Sequence, residues 1–191
     1  RQRRAPRQDR SRATVAAILS AAAQILRRHG AVSLTTAAIA DRAGVSVGSL
    51  YDYFPSKQAI IIALARQLMD EDVEAIAAAA AKAVGDPTRA IIATLIDRHG
   101  TDRAYRRKIM AAHIGAGLAD EHAQTVERSV SLLAARHFPM LGERASSVFV
   151  ATRAVLGVCR ALVDRPESSR QDHKAIEDAL VAIVEQMLGA R

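Results

Sequence analysis

"TTAAIADRAGVSVGSLYDYF" runs from Thr35 to Phe54, and its reading decides the fold. Within it, Gly44-Val45-Ser46-Val47-Gly48 is a literal G-x-S-x-G, the pattern in which a hydrolase serine is lifted above a sheet by a sharp strand-to-helix turn. Such an elbow needs a buried β-strand running into Gly44. What runs into it is an alanine-rich stretch with Thr35 as a cap residue and Ile39 and Ala40 on one face, which reads as a short helix. Gly44 breaks that helix, and Ser46 is placed to cap another reaching about Tyr53. Helix, glycine-containing turn and helix, held at a steep angle by Ile39, Ala40, Val45, Leu50 and Phe54, is a helix-turn-helix. Its second helix offers Ser46, Val47, Gly48 and Ser49 at the end that enters a DNA major groove. Gly48 in a helix costs about 1 kcal/mol against alanine, which close approach of the backbone to DNA would explain.

The flanking chain continues in helices. Val15, Ile18, Leu19, Ala22, Ile25 and Leu26 recur at three-and-four spacing, predicting a helix from about Ser11 to His29, stopped by Gly30. Pro55-Ser56 opens a long helix to about Val84, and Gly85-Asp86-Pro87 ends it and starts the next. Further helices are expected near 102–113, 118–137, 143–164 and 171–188, with breaks at Gly115/Gly117, Pro139/Gly142 and Pro166–Ser169. Aromatic residues make up only 3 % of the chain, and alternating β-branched runs are scarce, so the class is all-α. No apolar run approaches the roughly 18 residues of a membrane span, and the arginine-rich start is no signal peptide. Cys159 is the single cysteine and has no internal disulfide partner, which fits a cytoplasmic location. The chain opens on Arg1, so its natural start is expected elsewhere.

The charge is unevenly placed. Residues 1–57 hold ten Lys/Arg against three acids, whereas the remaining 17 bases and 17 acids cancel, so the whole net charge of +7 lies in the first third. Clustered positive charge on one domain is what phosphate neutralisation requires, although Arg1–Arg12 also reads as a solvated tail.

The stretch 33–64, "SLTTAAIADRAGVSVGSLYDYFPSKQAIIIAL", resembles the DNA-binding signature of the TetR family of bacterial transcription regulators. The resemblance rests on Thr35-Thr36, Ile39-Ala40, Ala43-Gly44-Val45-Ser46, Gly48-Ser49-Leu50-Tyr51, Tyr53-Phe54 and Ser56-Lys57. The rest of the chain resembles the family in plan only. Thr35 and Thr36 can offer hydroxyl and amide donors to a phosphate. Val47 has methyls suited to thymine, and Ser46 and Ser49 suit a base edge or a phosphate. The resemblance assigns Tyr51, Tyr53 and Lys57 to gripping the DNA backbone. Ala37 stands where some family members carry a base-reading arginine, so direct readout looks sparse; DNA shape, or Arg1–Arg7 in a minor groove, would supply the rest.

The C-terminal part carries a separate signal. Residues 148–163, "VFVATRAVLGVCRALV", are apolar almost all round, and the next helix carries Ile176, Leu180, Ile183, Val184 and Met187 on one stripe. Two such helices meeting their symmetry mates would form a four-helix homodimer interface, with Val155 and Leu162 joining that stripe, and this is also the family plan. The resemblance places an effector pocket in the intervening helices, with candidate walls at Ile92, Leu95, Ile96, Met110, His113, Ile114, Val130, Leu133, Phe149 and Arg153. With so few aromatic residues, an aliphatic or acyl-like apolar effector is favoured over a quaternary cation. Arg103-x-x-Arg106-Arg107-Lys108 reads as a solvated helix face. No metal-ligand spacing is found, and no cofactor is expected.

The expected architecture is therefore an arm and three-helix DNA-binding domain over 1–57, with a helical effector-binding and dimerisation domain over 58–191. The expected function is a ligand-responsive regulator, a repressor, that binds a palindromic operator on double-stranded DNA as a dimer. The alternatives are a serine hydrolase built on Ser46 and a helical binding module without DNA activity.

Overall fold

In the computed structural model, the described residues are 6–85, 87–101, 103–115, 117, 145–164 and 170–188. They form helices α1 (Pro6–His29), α2 (Thr36–Ala43), α3 (Val47–Tyr53), α4 (Lys57–Lys82), α5 (Pro87–Thr101), α6 (Arg103–Gly115), α7 (Ala145–Asp164) and α8 (Arg170–Leu188), and among these residues there is no strand. The helix expected near 118–137, with Val130 and Leu133, lies outside the described residues. The chain divides into two compact units, one comprising 1–67 with 108–118 and the other 68–107 with 119–191. Helices α4 and α6 each contribute residues to both.

In the first unit, α1 starts five residues before the expected Ser11. Pro6 supplies a φ already suited to a first helical position, and Asp9 in the first turn complements the helix dipole. Part of what read as a basic tail is therefore helix, with Arg10 and Arg12 exposed on it. Its apolar stripe buries Ile18, Ala21, Ala22, Ile25 and Leu26, and α1 packs on α2, which packs on α3. Thr35 caps α2 by accepting from the Ala38 amide at 3.1 Å. Gly44 ends α2 at φ +69, and the Val45 amide closes the turn on the Ala40 carbonyl at 3.0 Å. Ser46 caps α3 through the Ser49 amide at 3.0 Å, and Ser56 caps α4 through the Ala59 amide at 3.2 Å. Ile39, Leu50, Phe54, Ile60 and Leu64 are buried with them. On α6, Lys108 donates to the Arg27 carbonyl at 2.8 Å, placing a cation on the C-terminal turn of α1, where the helix dipole favours one.

In the second unit, α5 packs on both α7 and α8, and these pack on each other. Their core is Ile92, Ile96, Ala151, Leu162, Leu180, Val181 and Val184, flanked by Val155, Ile176 and Met187 among others. A second cluster gathers Ile76 of α4, Leu95 of α5 and Cys159 of α7.

Candidate nucleic-acid interface

Ser46 sits between two helices, with no strand leading into it. Its hydroxyl donates to Ser49 Oγ at 2.9 Å while accepting from the Ser49 amide, so the proton that a nucleophile must give up goes to another hydroxyl. The elbow reading of Gly44-x-Ser46-x-Gly48 is overturned by this geometry.

Around the serine pair, α3 turns a distinct face outward. Val47 is 41 % exposed, Tyr51 48 % and Tyr53 37 %, while Leu50 on the same helix is fully buried. Apolar and aromatic side chains held outside on so short a helix are candidates for contact with a partner. Gly48 adds to this face. A Cβ there would meet only Ser46 Oγ, at 3.8 Å, and its φ is not positive, so neither crowding nor backbone strain within the chain calls for glycine. The Thr36 hydroxyl and the Tyr51 phenol approach to 3.4 Å, tying the start of α2 to the outward face of α3. Thr35 engages its own oxygen in capping, which leaves the Thr36 and Ala37 amides without an intrahelical acceptor. Lys57, half-buried, opens α4. The predicted DNA-facing residues thus lie on the start of α2, on α3 and at the start of α4, within one unit.

Residues 18–64 match the model of the bacterial regulatory proteins of the tetR family. Residues 18–64 are thus similar to the TetR family. The exposed α3 is the second helix of the helix-turn-helix within the matched residues. Among curated proteins, none matches the chain by sequence. Solved structures share the fold at low identity. The multidrug binding protein EbrR complexed with imidazole is 21 % identical, with a TM-score of 0.66 over 91 % of this chain and 93 % of that one. A TetR family transcription regulator from Marinobacter aquaeolei VT8 is 19 % identical, with a TM-score of 0.60 over 92 % and 97 %. The fatty acid degradation regulator FadR from Bacillus halodurans is 20 % identical, with a TM-score of 0.60 over 98 % and 95 %.

Of the ten residues expected to wall an effector pocket, eight are among the described residues. Ile92 and Ile96 belong to the core of α5, α7 and α8, and Leu95 to the second cluster. Met110, half-buried, and His113, buried, lie on the part of α6 that belongs to the first unit, where Ile114 is exposed. Phe149 is 52 % exposed, and the Arg153 guanidinium lies 5.1 Å from its ring centroid. Of the expected interface residues, Leu162, Leu180 and Val184 are buried in the chain's own core, while Val155, Ile176 and Met187 are half-buried beside it. Ile183 is exposed, as are Phe149 and Val150.

A polar cluster escaped the sequence reading. Arg106 is not part of a solvated face. Its side chain is 8 % exposed, and its fork donates to both Asp72 oxygens at 2.7 Å. Arg98 donates through Nε to the same carboxylate at 2.5 Å. Burial works to raise the Asp72 pKa, but the hydrogen bonds from Arg106 and Arg98 outweigh it and hold the group below its usual value. His99 is pushed below its usual range by burial and then by the Arg106 charge, while its Nδ1 pairs with the Leu95 carbonyl at 2.8 Å. Burial pushes the Cys159 thiol up to about 12. The available signal was register: Arg106 falls three and seven residues before Ile109 and His113, on the stripe of α6 that is buried. Among the described residues, no helix is long and apolar enough to cross a membrane, and no group of acids, histidines and cysteine could hold a metal ion.

Proposed function

We propose that the chain is a ligand-responsive transcription regulator, a repressor that binds a palindromic operator as a homodimer and leaves it when a small apolar effector binds. The observation that carries the DNA half is the outward face of α3, where Val47, Tyr51 and Tyr53 are exposed beside a glycine that nothing in the chain requires. The excess positive charge of residues 1–57 supports it. One such helix per chain calls for two chains and two half-sites about one DNA turn, or a small multiple, apart. Exposed Phe149, Val150 and Ile183 on α7 and α8 are the apolar surface for that pairing.

The effector half is supported by structural likeness to a protein solved with imidazole, malachite green and ethidium. Helix α4 contributes Lys57–Gln67 to the DNA-binding unit and Leu68–Lys82 to the other, and its 26 residues span roughly 40 Å at 1.5 Å each. A ligand that tilts this rod changes the spacing of two recognition helices whose half-sites are fixed on DNA. The coupling should amount to about 1–3 kcal/mol and be reciprocal, so operator weakens effector binding by the same factor. Selection of bound sequences from random DNA, followed by titration at several salt concentrations, tests the reading. A near-palindrome bound with a steep salt dependence supports it. Binding without sequence preference, or full operator affinity from a monomer, refutes it.

A further inference from the structure

Among the described residues, the polar cluster of the second unit gathers around Asp72. Two guanidinium groups, Arg98 and Arg106, face one carboxylate, Asp72; the other nearby acid, Glu71, is half-exposed and 3.9 Å from Arg98. Arg98 is itself 28 % exposed, so water relieves part of its charge, but Arg106 at 8 % has little such relief. Arg106 also retains an unused donor. Its two terminal nitrogens are taken by Asp72, while Nε is buried with no acceptor. A buried cation with a spare, directional N–H is poised for one further anionic oxygen. A buried apolar cluster belongs to the same unit: Ile76 lies four residues along α4 from Asp72, and Leu95 three residues along α5 from Arg98; with Cys159 these two form one cluster.

We propose that Arg106 anchors the head group of the effector, and that the effector is an aliphatic monocarboxylic acid whose carboxylate accepts from Arg106 Nε while its chain packs toward Ile76, Leu95 and Cys159. The proposal rests on the effector-responsive reading above and narrows it to one ligand class. A carboxylate supplies the acceptor that the buried Arg106 Nε lacks. A cationic ligand meets repulsion from Arg98 and Arg106 there, and a neutral alcohol offers Nε a weaker acceptor.

Decanoate, decanol and decylamine, each below its aggregation threshold, are titrated calorimetrically into the full chain, and release of selected operator DNA is followed in parallel. Decanoate should bind at least about tenfold more tightly than either analogue, the factor that one charge-assisted hydrogen bond carries. Arg106→Lys keeps a charge to pair with Asp72 but loses the third guanidinium donor, so decanoate should weaken about tenfold with decanol unchanged. Asp72→Asn should act in the opposite direction, tightening decanoate by removing the competing carboxylate. A merely structural cluster would instead weaken all three probes in both variants. Thermal unfolding of each variant verifies that it is folded. Equal or tighter binding of decanol or decylamine, no binding of decanoate, or a decanoate affinity indifferent to Arg106→Lys overturns the site and leaves the regulator reading in place. Arg106-dependent decanoate binding that never affects DNA leaves the site in place and overturns the regulator reading.

Discussion

Gly44 and Gly48 lie four residues apart and are glycines for different reasons. At Gly44 the backbone is left-handed, φ +69, with open space where a Cβ would point, so Gly44→Ala should cost about 1 kcal/mol through conformation alone. At Gly48 the φ is not positive and only Ser46 Oγ, at 3.8 Å, lies near. Gly48→Ala should therefore stabilise the fold by up to about 1 kcal/mol in denaturant titrations while weakening operator binding. A gain or no change in DNA affinity would show that the glycine is not there for the nucleic acid. Neighbouring residues divide positioning from reading. Lys57→Ala should weaken specific and random DNA alike and lower the salt slope by about one. Val47→Ala should change sequence preference by roughly 1 kcal/mol or less per half-site. Competition binding with operator and random duplexes at several salt concentrations separates the two effects; the reverse pattern would exchange the roles.

At the scale of elements, charge buried between helices makes the second unit sensitive to acid. His99 has its pKa depressed from 6.5, so the folded state stays neutral where the unfolded chain already takes up a proton. Stability contributed by its surroundings is full above that value and falls as pH drops from about 6.5 toward the depressed folded value. Asp72 is lowered from 3.8, so its contribution is full above 3.8 and is lost as pH falls through the lower folded value. Unfolding followed by circular dichroism should show two declines, one beginning near 6.5 and one below 3.8. His99→Gln should remove the first and leave the second. Cys159 of α7 offers a second probe of the same unit. Fully buried and pushed to about 12, it should resist alkylation at pH 8 until α7 separates from its neighbours.

For the whole molecule, the prediction is dimerisation through the exposed faces of α7 and α8. Ile183 is 47 % exposed, so Ile183→Glu should change monomer stability by less than about 0.5 kcal/mol while shifting sedimentation toward monomer and reducing operator affinity. A variant that remains dimeric with full affinity would place the interface elsewhere. Leu162, Leu180 and Val184 suit no such test, because they are buried in the chain's own core.

The DNA-binding unit was legible in residue order because its determinants are local. Thr35, Gly44 and Ser46 act within a few residues of themselves through caps and one left-handed turn, and the 3.6-residue period marks Ile18, Ile25, Ile39 and Leu50 as inward. The same rules located the ends of most described helices to within about two residues. The early start of α1 at Pro6 was missed because a run of arginines imitates a tail. Beyond such local features, residue order alone could not decide. A strongly apolar helix buries its faces either in its own chain or against a second copy, and periodicity is the same in both cases. The packing of α5 against α7 and α8 settles that choice for Leu162, Leu180 and Val184. Nor could sequence show that Arg106 pairs with Asp72, 34 residues away, since a basic run on a helix reads as solvated until its partner is brought beside it. Tertiary structure decided both, because burial and long-range pairing depend on which surfaces meet.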